Sequence, residues 1–325
     1  MEWLKKVIMV TGGTGSFGQK FTEVMLKEYN PKTIRIFSRD ELKQSEMIQK
    51  FNNNEKLRFF IGDVRDRSRL SRAMDGVDIV IHAAALKQVP LCEYNPFEAV
   101  STNIIGSQNV IDVAIDHNVE KILAISTDKA VGPVNLYGAT KLCMERIVVA
   151  GNSYVGSNRQ SKLSCVRYGN VIGSRGSVIP LFKKQSLNGV VTITDKRMTR
   201  FWITLEQGVE FVIKCIEIMK GGEIFVPKIP SMKIIDLKNV ITPESKINYV
   251  GIRAGEKINE CLITEEEARH SVEYDNFLII KPEHIWWSKS NWEDGKSLPE
   301  GFRYTSDSNK HWLTEEELKK MVKHL

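Results

Sequence analysis

Short apolar runs alternate with longer stretches of helical periodicity along the first half of the chain. Lys6-Val7-Ile8-Met9-Val10, Thr33-Ile34-Arg35-Ile36-Phe37, Leu57-Arg58-Phe59-Phe60-Ile61, Val77-Asp78-Ile79-Val80-Ile81 and Ile122-Leu123-Ala124-Ile125 each have the length and character of a buried strand. Between them, Phe21, Val24, Met25 and Leu26 mark one helix face, and Val100, Ile104, Ile105, Val110, Val113 and Ala114 mark another. Strands that are apolar throughout, separated by helices, predict an α/β protein with a doubly wound parallel sheet. Lys162–Arg167 reads as a sixth strand. Beyond it the alternation breaks down into Gly-rich and mixed segments. A helix from Leu205 to Met219 and a strand Glu223–Val226 are expected to rejoin the first domain. The expected organisation is a dinucleotide-binding domain over 1–170, rejoined by 205–242, and a smaller mixed α/β substrate-binding domain over 171–204 and 243–325. That last part holds Trp286, Trp287, Trp292 and Trp312, and Thr314 ahead of Glu315-Glu316-Glu317 carries a helix N-cap signature.

The first strand leads into Thr11-Gly12-Gly13-Thr14-Gly15-Ser16-Phe17-Gly18 and then into a helix. Glycines at 12, 15 and 18 permit a tight turn and let the backbone approach a pyrophosphate at the positive end of the helix. In this strand–turn–helix context the spacing predicts a Rossmann-like dinucleotide site, with Gly12, Thr14, Gly15, Ser16, Phe17 and Gly18 as its contacts. The second strand ends in Ser38-Arg39-Asp40 with Lys43 one turn on. Ser38, Arg39 and Lys43 favour the 2′-phosphate of NADP; NAD would follow if Asp40 took the ribose instead. Asp63 and Val64 are placed to meet the adenine, with a helix N-cap as the other reading of Asp63. Ala83 and Ala84, after the fourth strand, are small enough for a cofactor to lie on the backbone. His82 reads as a local packing and hydrogen-bonding group. Lys87 sits just past that strand, where ligands of open α/β sheets bind. Asn103 is placed to bridge to the helix that bears Tyr137.

Composition narrows the class without changing the picture. The chain has 325 residues, 42% hydrophobic and 26% charged, which suits a soluble globular protein. The net charge of +6 comes from scattered lysines and arginines rather than runs, so no nucleic-acid partner is expected. Five cysteines without a Cys-x-x-Cys pair read as small apolar residues in a reducing compartment, with no metal. No apolar run approaches the roughly 18 residues of a membrane span. No signal peptide is legible at the start, and the expected location is cytoplasmic.

The chemistry concentrates in Ser126-Thr127-Asp128-Lys129-Ala130-Val131-Gly132-Pro133-Val134-Asn135-Leu136-Tyr137-Gly138-Ala139-Thr140-Lys141. Thr127, Asp128 and Lys129 leave the end of a strand together. Tyr137 and Lys141 share one helix face. An ammonium at Lys141 would lower the pKa of Tyr137, and a phenolate can take the proton of a secondary alcohol while hydride leaves for a nicotinamide. Thr127 would hydrogen-bond that alcohol.

The Thr, Tyr-x-x-x-Lys set resembles the extended branch of the short-chain dehydrogenase/reductase family, which acts on nucleotide sugars. A reductase or 4-epimerase of that branch needs neither Asp128 nor Lys129, whereas a 4,6-dehydratase needs an added acid and base. Four stretches are similar to the inverting UDP-N-acetylglucosamine 4,6-dehydratases of pseudaminic acid biosynthesis: Ser126–Leu142, Arg167–Pro180, Asp195–Phe201 and Arg253–Lys257. The resemblance implies transient oxidation at position 4 with Tyr137 as base, aided by Thr127 and Lys141. It further implies a neutral Lys129, its pKa lowered by burial and by Lys141, that removes the position-5 proton, and Asp128 as the acid for loss of water. Lys87, Asn170, Arg200 and Arg253 would hold UDP-N-acetylglucosamine, and NADP would be tightly bound and regenerated in each cycle. Relatives form dimers or higher assemblies, so a homo-oligomer is expected. Gln88 departs from the histidine expected after Lys87. The other readings are a UDP-sugar 4-epimerase or reductase, and a non-catalytic NADP-sensing protein.

Overall fold

The computed structural model describes residues 1–156, 159–173, 177–283 and 292–322. Its centre is a ten-stranded sheet. The apolar runs form β1 (Val7–Thr11), β2 (Thr33–Ser38), β3 (Leu57–Ile61), β4 (Ile79–His82), β5 (Lys121–Thr127) and β6 (Lys162–Tyr168), and β7 (Ile224–Pro227) joins beside β6. Their order across the sheet is β7-β6-β5-β4-β1-β2-β3, with all neighbours parallel. The strand order therefore reverses between β1 and β4. Strands on either side of that switch send their following segments to opposite faces, which opens a crevice at their carboxyl ends. Every residue of β1, β4 and β7 is buried, as expected of strands covered on both faces.

Residues 205–227 contribute the helix Leu205–Ile218 and β7 to this part of the fold. The expected boundaries fail on either side of 242. Strand Ser231–Lys233 pairs with Thr199–Thr204, which pairs in turn with Asn170–Ile172, and helix Ile234–Ile241 packs in a second apolar cluster with Phe182, Trp202 and Leu318. Conversely, β8 (Ser271–Glu273), β9 (Phe277–Ile280) and β10 (Lys296–Ser297), placed by sequence in the substrate domain, extend the main sheet antiparallel beyond β7. The reason is the open edge that β7 would otherwise present; the apolar run Phe277–Ile280 covers it. Trp292 is buried in the same place, its indole N–H 2.9 Å from Glu223 Oε1. Trp286, Trp287 and the Ser174–Gly176 part of the Gly-rich loop lie outside the described residues. Among the described residues no helix is long and apolar enough to cross a membrane.

A buried charge cluster joins the two parts of the chain. Arg167, on β6 and fully buried, donates to Glu145 at 3.0 and 2.6 Å, to Glu267 at 2.9 and 2.9 Å, and to the carbonyl of Leu262 at 2.8 Å. Glu145 lies one turn beyond Lys141 on the helix Leu136–Gly151, so this cluster anchors that helix to the C-terminal segment. Replacing Arg167 with methionine leaves two buried carboxylates without a counter-charge. The expected loss is about 3–5 kcal/mol, read as a drop in the urea midpoint. An unchanged midpoint would show that the cluster is stabilised by something else.

Candidate active site

The Gly-rich turn is built to admit a ligand at the start of the helix Ser16–Val24. Gly12 has φ of +67°, and a Cβ there would sit 2.9 Å from Ala84 Cα; one on Gly18 would sit 2.3 Å from the carbonyl oxygen of Gly13. Both side chains must be absent for β1, β4 and the helix to meet this closely. A cavity of about 330 Å³ opens beside the turn, lined by Thr14, Ser38, Arg39, Lys43, Asp63 and Val64 among others. Thr14 Oγ1 is 2.8 Å from Ser38 Oγ. Asp40 caps the helix Glu41–Lys50 by accepting from the Lys43 N–H at 3.0 Å, and its other oxygen is paired with the Lys43 ammonium. Asp63 is no helix cap: Asp66 caps the following helix, while Asp63 holds Arg65 at 2.7 Å and Arg39 at 3.4 Å. These cations outweigh its burial and keep Asp63 below the usual carboxylate range.

A second cavity, of about 540 Å³, continues from Gly12 and Ala84 past β5 to Asn170 and Trp202. Among the described residues, Ser126 Oγ, Asn170 Oδ1 and Ser177 Oγ on its wall are buried without hydrogen-bond partners, as is Thr102 Oγ1 beside the first cavity. Such atoms are costly unless a ligand satisfies them. The glycine cradle and these orphaned atoms fit an extended dinucleotide followed by a polar substrate. The sequence singled out neither Ser126 nor Ser177 as a contact; a lone serine carries no periodic signal.

Ser126, Thr127, Lys129, Tyr137 and Lys141 lie on the wall of this larger cavity. β5 ends at Thr127, and Asp128–Ala130 form a single 3-10 turn. Asn135 caps the helix Leu136–Gly151, which carries Tyr137 and Lys141, by accepting from the Gly138 N–H at 2.8 Å. Gly138 is required here, because a Cβ would fall 2.2 Å from the carbonyl oxygen of Lys129. Asn103, in a π-helical turn at Ser101–Ile105, donates to Thr140 Oγ1 at 3.0 Å and to the carbonyl of Leu86 at 2.9 Å, so it ties the helix that bears Tyr137 to the β4 loop. Asp128 is fully buried; its Oδ1 accepts from Thr127 Oγ1 at 2.9 Å and from Lys129 Nζ at 3.1 Å.

Two expected charge states are corrected by this geometry. Lys141 donates its ammonium to the Ile125 carbonyl at 2.6 Å, and burial lowers its pKa to about 8. Burial pushes the Tyr137 phenol up to about 12, and the cation that opposes this is Lys129 rather than Lys141. The phenol is therefore neutral in this structure. Burial would lower Lys129, as expected, but the Asp128 and Glu260 carboxylates raise it further than burial lowers it, so it is held as an ammonium. Burial, with Glu260 nearby, raises Asp128 despite its contact with Lys129, which suits an acid. Glu260 was missed by the sequence reading, which stopped at Lys257.

The expected substrate contacts divide. Asn170, Lys87 and also Gln88 line the large cavity. Arg200 does not: its guanidinium donates to the carbonyls of Thr199, Ile258 and Lys257 at 2.7, 2.9 and 2.9 Å. Arg253 is exposed on a loop, 3.9 Å from Glu256. In this structure neither arginine reaches the cavity wall, because each sits in the segment 197–260, whose folding no local pattern predicts. His82 is bonded to Thr11 Oγ1 at 2.8 Å and Ser107 Oγ at 2.9 Å, in keeping with a structural role. Burial, with Lys141, lowers its pKa to about 3. An unfolded chain takes up a proton there near pH 6.5, so stability falls as pH falls below that value, by about 1.4 kcal/mol per pH unit. His82→Gln is expected to flatten this part of the slope in urea titrations; an unchanged slope would assign it to other groups.

Known proteins share this fold. The family model for polysaccharide biosynthesis protein matches residues 8–282. The inverting UDP-N-acetylglucosamine 4,6-dehydratase of Campylobacter jejuni subsp. jejuni is 51% identical over 329 residues, covering 98% of each chain. A UDP-glucose 4-epimerase of Rickettsia conorii is 41% identical over 330 residues, covering 98% of this chain and 96% of its own. The X-ray structure of Pen from Bacillus thuringiensis superposes with a TM-score of 0.90 at 38% identity, covering 100% of both chains. With its parallel sheet, glycine cradle and Tyr137–Lys141 helix, the chain belongs to the polysaccharide biosynthesis protein family, alongside the inverting 4,6-dehydratases it resembles.

Proposed function

We propose that the protein is an NADP-dependent, inverting UDP-N-acetylglucosamine 4,6-dehydratase, a hydro-lyase that forms UDP-2-acetamido-2,6-dideoxy-β-L-arabino-hex-4-ulose. The observation that carries this reading is the pair of buried Asp128 and half-buried Lys129, 3.1 Å apart at the end of β5 beside Tyr137. Oxidation at one carbon and its reversal need only Tyr137, Lys141 and Thr127. Elimination of water needs an added base and acid in the same cavity, and this pair supplies them.

In this reading the phenol of Tyr137 first gives up its proton to solvent, and the phenolate Oη then takes the proton of the 4-hydroxyl, which Thr127 Oγ1 holds in place. A bound nicotinamide dinucleotide would supply the acceptor of the position-4 hydride and its donor at position 6. With a ketone at position 4 the position-5 proton is acidic, and Lys129 Nζ removes it. Asp128 gives its proton to the departing 6-hydroxyl, and protonation at position 5 from the opposite face inverts that centre. Asn170 and Lys87 hold the nucleotide sugar. Ser38, Arg39 and Lys43 hold a 2′-phosphate, and the engagement of Asp40 as a helix cap supports NADP over NAD. The same reading places the reaction in the cytoplasm, at the first step of pseudaminic acid biosynthesis. It also makes the protein a homo-oligomer, supported by the exposed Leu91, Tyr94 and Phe97 on the helices Val89–Tyr94 and Pro96–Val100.

Incubation with UDP-N-acetylglucosamine in deuterated water tests the function. The expected product has lost one water, carries deuterium at position 5 with inverted couplings, and forms without net consumption of cofactor. A sugar product of unchanged mass would replace this reading with the 4-epimerase.

A further inference from the structure

Glu260 contacts the Asp128–Lys129 pair but does not line the sugar cavity; it lies on the wall of a separate cavity of about 640 Å³ with Val131, Lys257 and Arg303. It is 3% exposed. Its Oε1 is 3.4 Å from Lys129 Nζ and 3.6 Å from Arg200 Nε, and its buried Oε2 has no hydrogen-bond partner among the described residues. Its main chain is fixed twice to Ser306: the Glu260 N–H donates to Ser306 Oγ at 2.9 Å, and the Ser306 N–H donates to the Glu260 carbonyl at 2.8 Å. Arg200, bound to three carbonyls of the same neighbourhood, cannot follow Lys129 if that side chain moves. The carboxylate is thus a fixed negative charge held against a reacting amine.

Resting on the dehydratase reading, we propose that Glu260 is a positioning residue whose fixed charge keeps one proton on the Asp128–Lys129 pair through the elimination. The proton balance requires such a group. The reactive form is a neutral Lys129 beside a protonated Asp128, reached from the ion pair by moving one proton across the 3.1 Å contact from Nζ to Oδ1. The position-5 C–H bond then breaks and its proton goes to Nζ. The position-6 C–O bond breaks with the Asp128 proton, a carbon–carbon double bond forms between positions 5 and 6, and water leaves. The pair ends as ammonium and carboxylate, still holding one proton. A pair that loses its proton has no acid, and one that gains a second has no base. A negative charge beside both groups favours retention of the proton. The charged or titratable groups that face this cluster are Asp128 and Lys129 from the β5 loop, Tyr137 from the catalytic helix, Arg200 from the strand Thr199–Thr204, and Lys257 from the segment before Glu260.

The pH dependence of kcat for dehydration tests this in the full-length enzyme. The pair titrates as a unit, so removing the charge in Glu260→Gln is expected to move the basic limb toward acid by about 1–3 pH units. KM is expected to hold, because Glu260 does not line the sugar cavity. Glu260→Asp keeps the charge at a greater distance, and its basic limb is expected to fall between the other two. If Glu260→Gln does not fold, the aspartate variant decides alone: a limb moved toward acid supports the proposal, and an unmoved limb overturns it. Equal shifts in both variants would also overturn it, since charge would not be the cause. A wild-type enzyme that removes no water from UDP-N-acetylglucosamine fails the dehydratase reading and takes the proposal with it. A wild type that dehydrates, with variants whose limbs coincide with its own, fails the proposal alone.

Discussion

Lys129→Met is expected to lower turnover of UDP-N-acetylglucosamine by about 10²–10⁴-fold, the usual contribution of a general base. The substitution keeps the length of the side chain and removes the amine that donates to Asp128 Oδ1 at 3.1 Å. Tyr137, Thr127 and Lys141 stay in place, so oxidation at position 4 is expected to proceed and then stall. The signature is a 4-keto sugar that keeps its 6-hydroxyl, together with a rise in the near-ultraviolet absorbance of reduced nicotinamide on mixing. Loss of the cation also leaves Asp128 and Glu260 facing each other with Arg200 as the remaining close counter-charge. A melting curve must therefore accompany the rate. Normal turnover in a folded variant would remove Lys129 from the base role, and with it the main ground for an elimination.

Tyr137→Phe is expected to cost a similar factor, about 10²–10⁴ in kcat, at the opposite end of the reaction. Phenylalanine removes only the hydroxyl. The ring keeps its packing beside Cys92 and Ala99 in a small apolar cluster, so the helix and the cavity should be unchanged. Without the phenol no group is placed to take the 4-hydroxyl proton, and neither ketone nor reduced nicotinamide should accumulate. The two variants thus differ in kind: one stops before oxidation and one after it. If Tyr137→Phe instead accumulated the 4-keto sugar, the base for oxidation would have to be sought elsewhere in the cavity, with Tyr168 the next phenol on its wall.

The expected and observed charge states differ for a reason that bears on both experiments. Adjacency in sequence suggested that Lys141 tunes Tyr137 and that burial neutralises Lys129. In the fold, Lys141 spends its ammonium on the Ile125 carbonyl, and Lys129 lies between two carboxylates. Spacing along a helix tells which side chains share a face. It does not tell which carbonyl or carboxylate the rest of the chain brings to that face.

The sequence by itself determined the parts whose partners are local. The strand–glycine turn–helix unit at Val7–Val24, the order of the parallel strands' apolar runs, and the Tyr137–Lys141 and Asp128–Lys129 spacings each follow from the period of a strand or helix and from the sterics of glycine. Asn103 was also legible, because a polar residue inside an apolar helix face needs a partner. Only the tertiary structure decided where β8–β10 pair, because an open sheet edge is covered by whichever run can reach it. It also placed Arg200 behind the site rather than in it, and set Glu260 against an amine more than a hundred residues away in the chain. The charge of a buried group depends on every ion within a few ångströms, whatever its place in the sequence, so the protonation of Lys129 and Tyr137 was settled by packing.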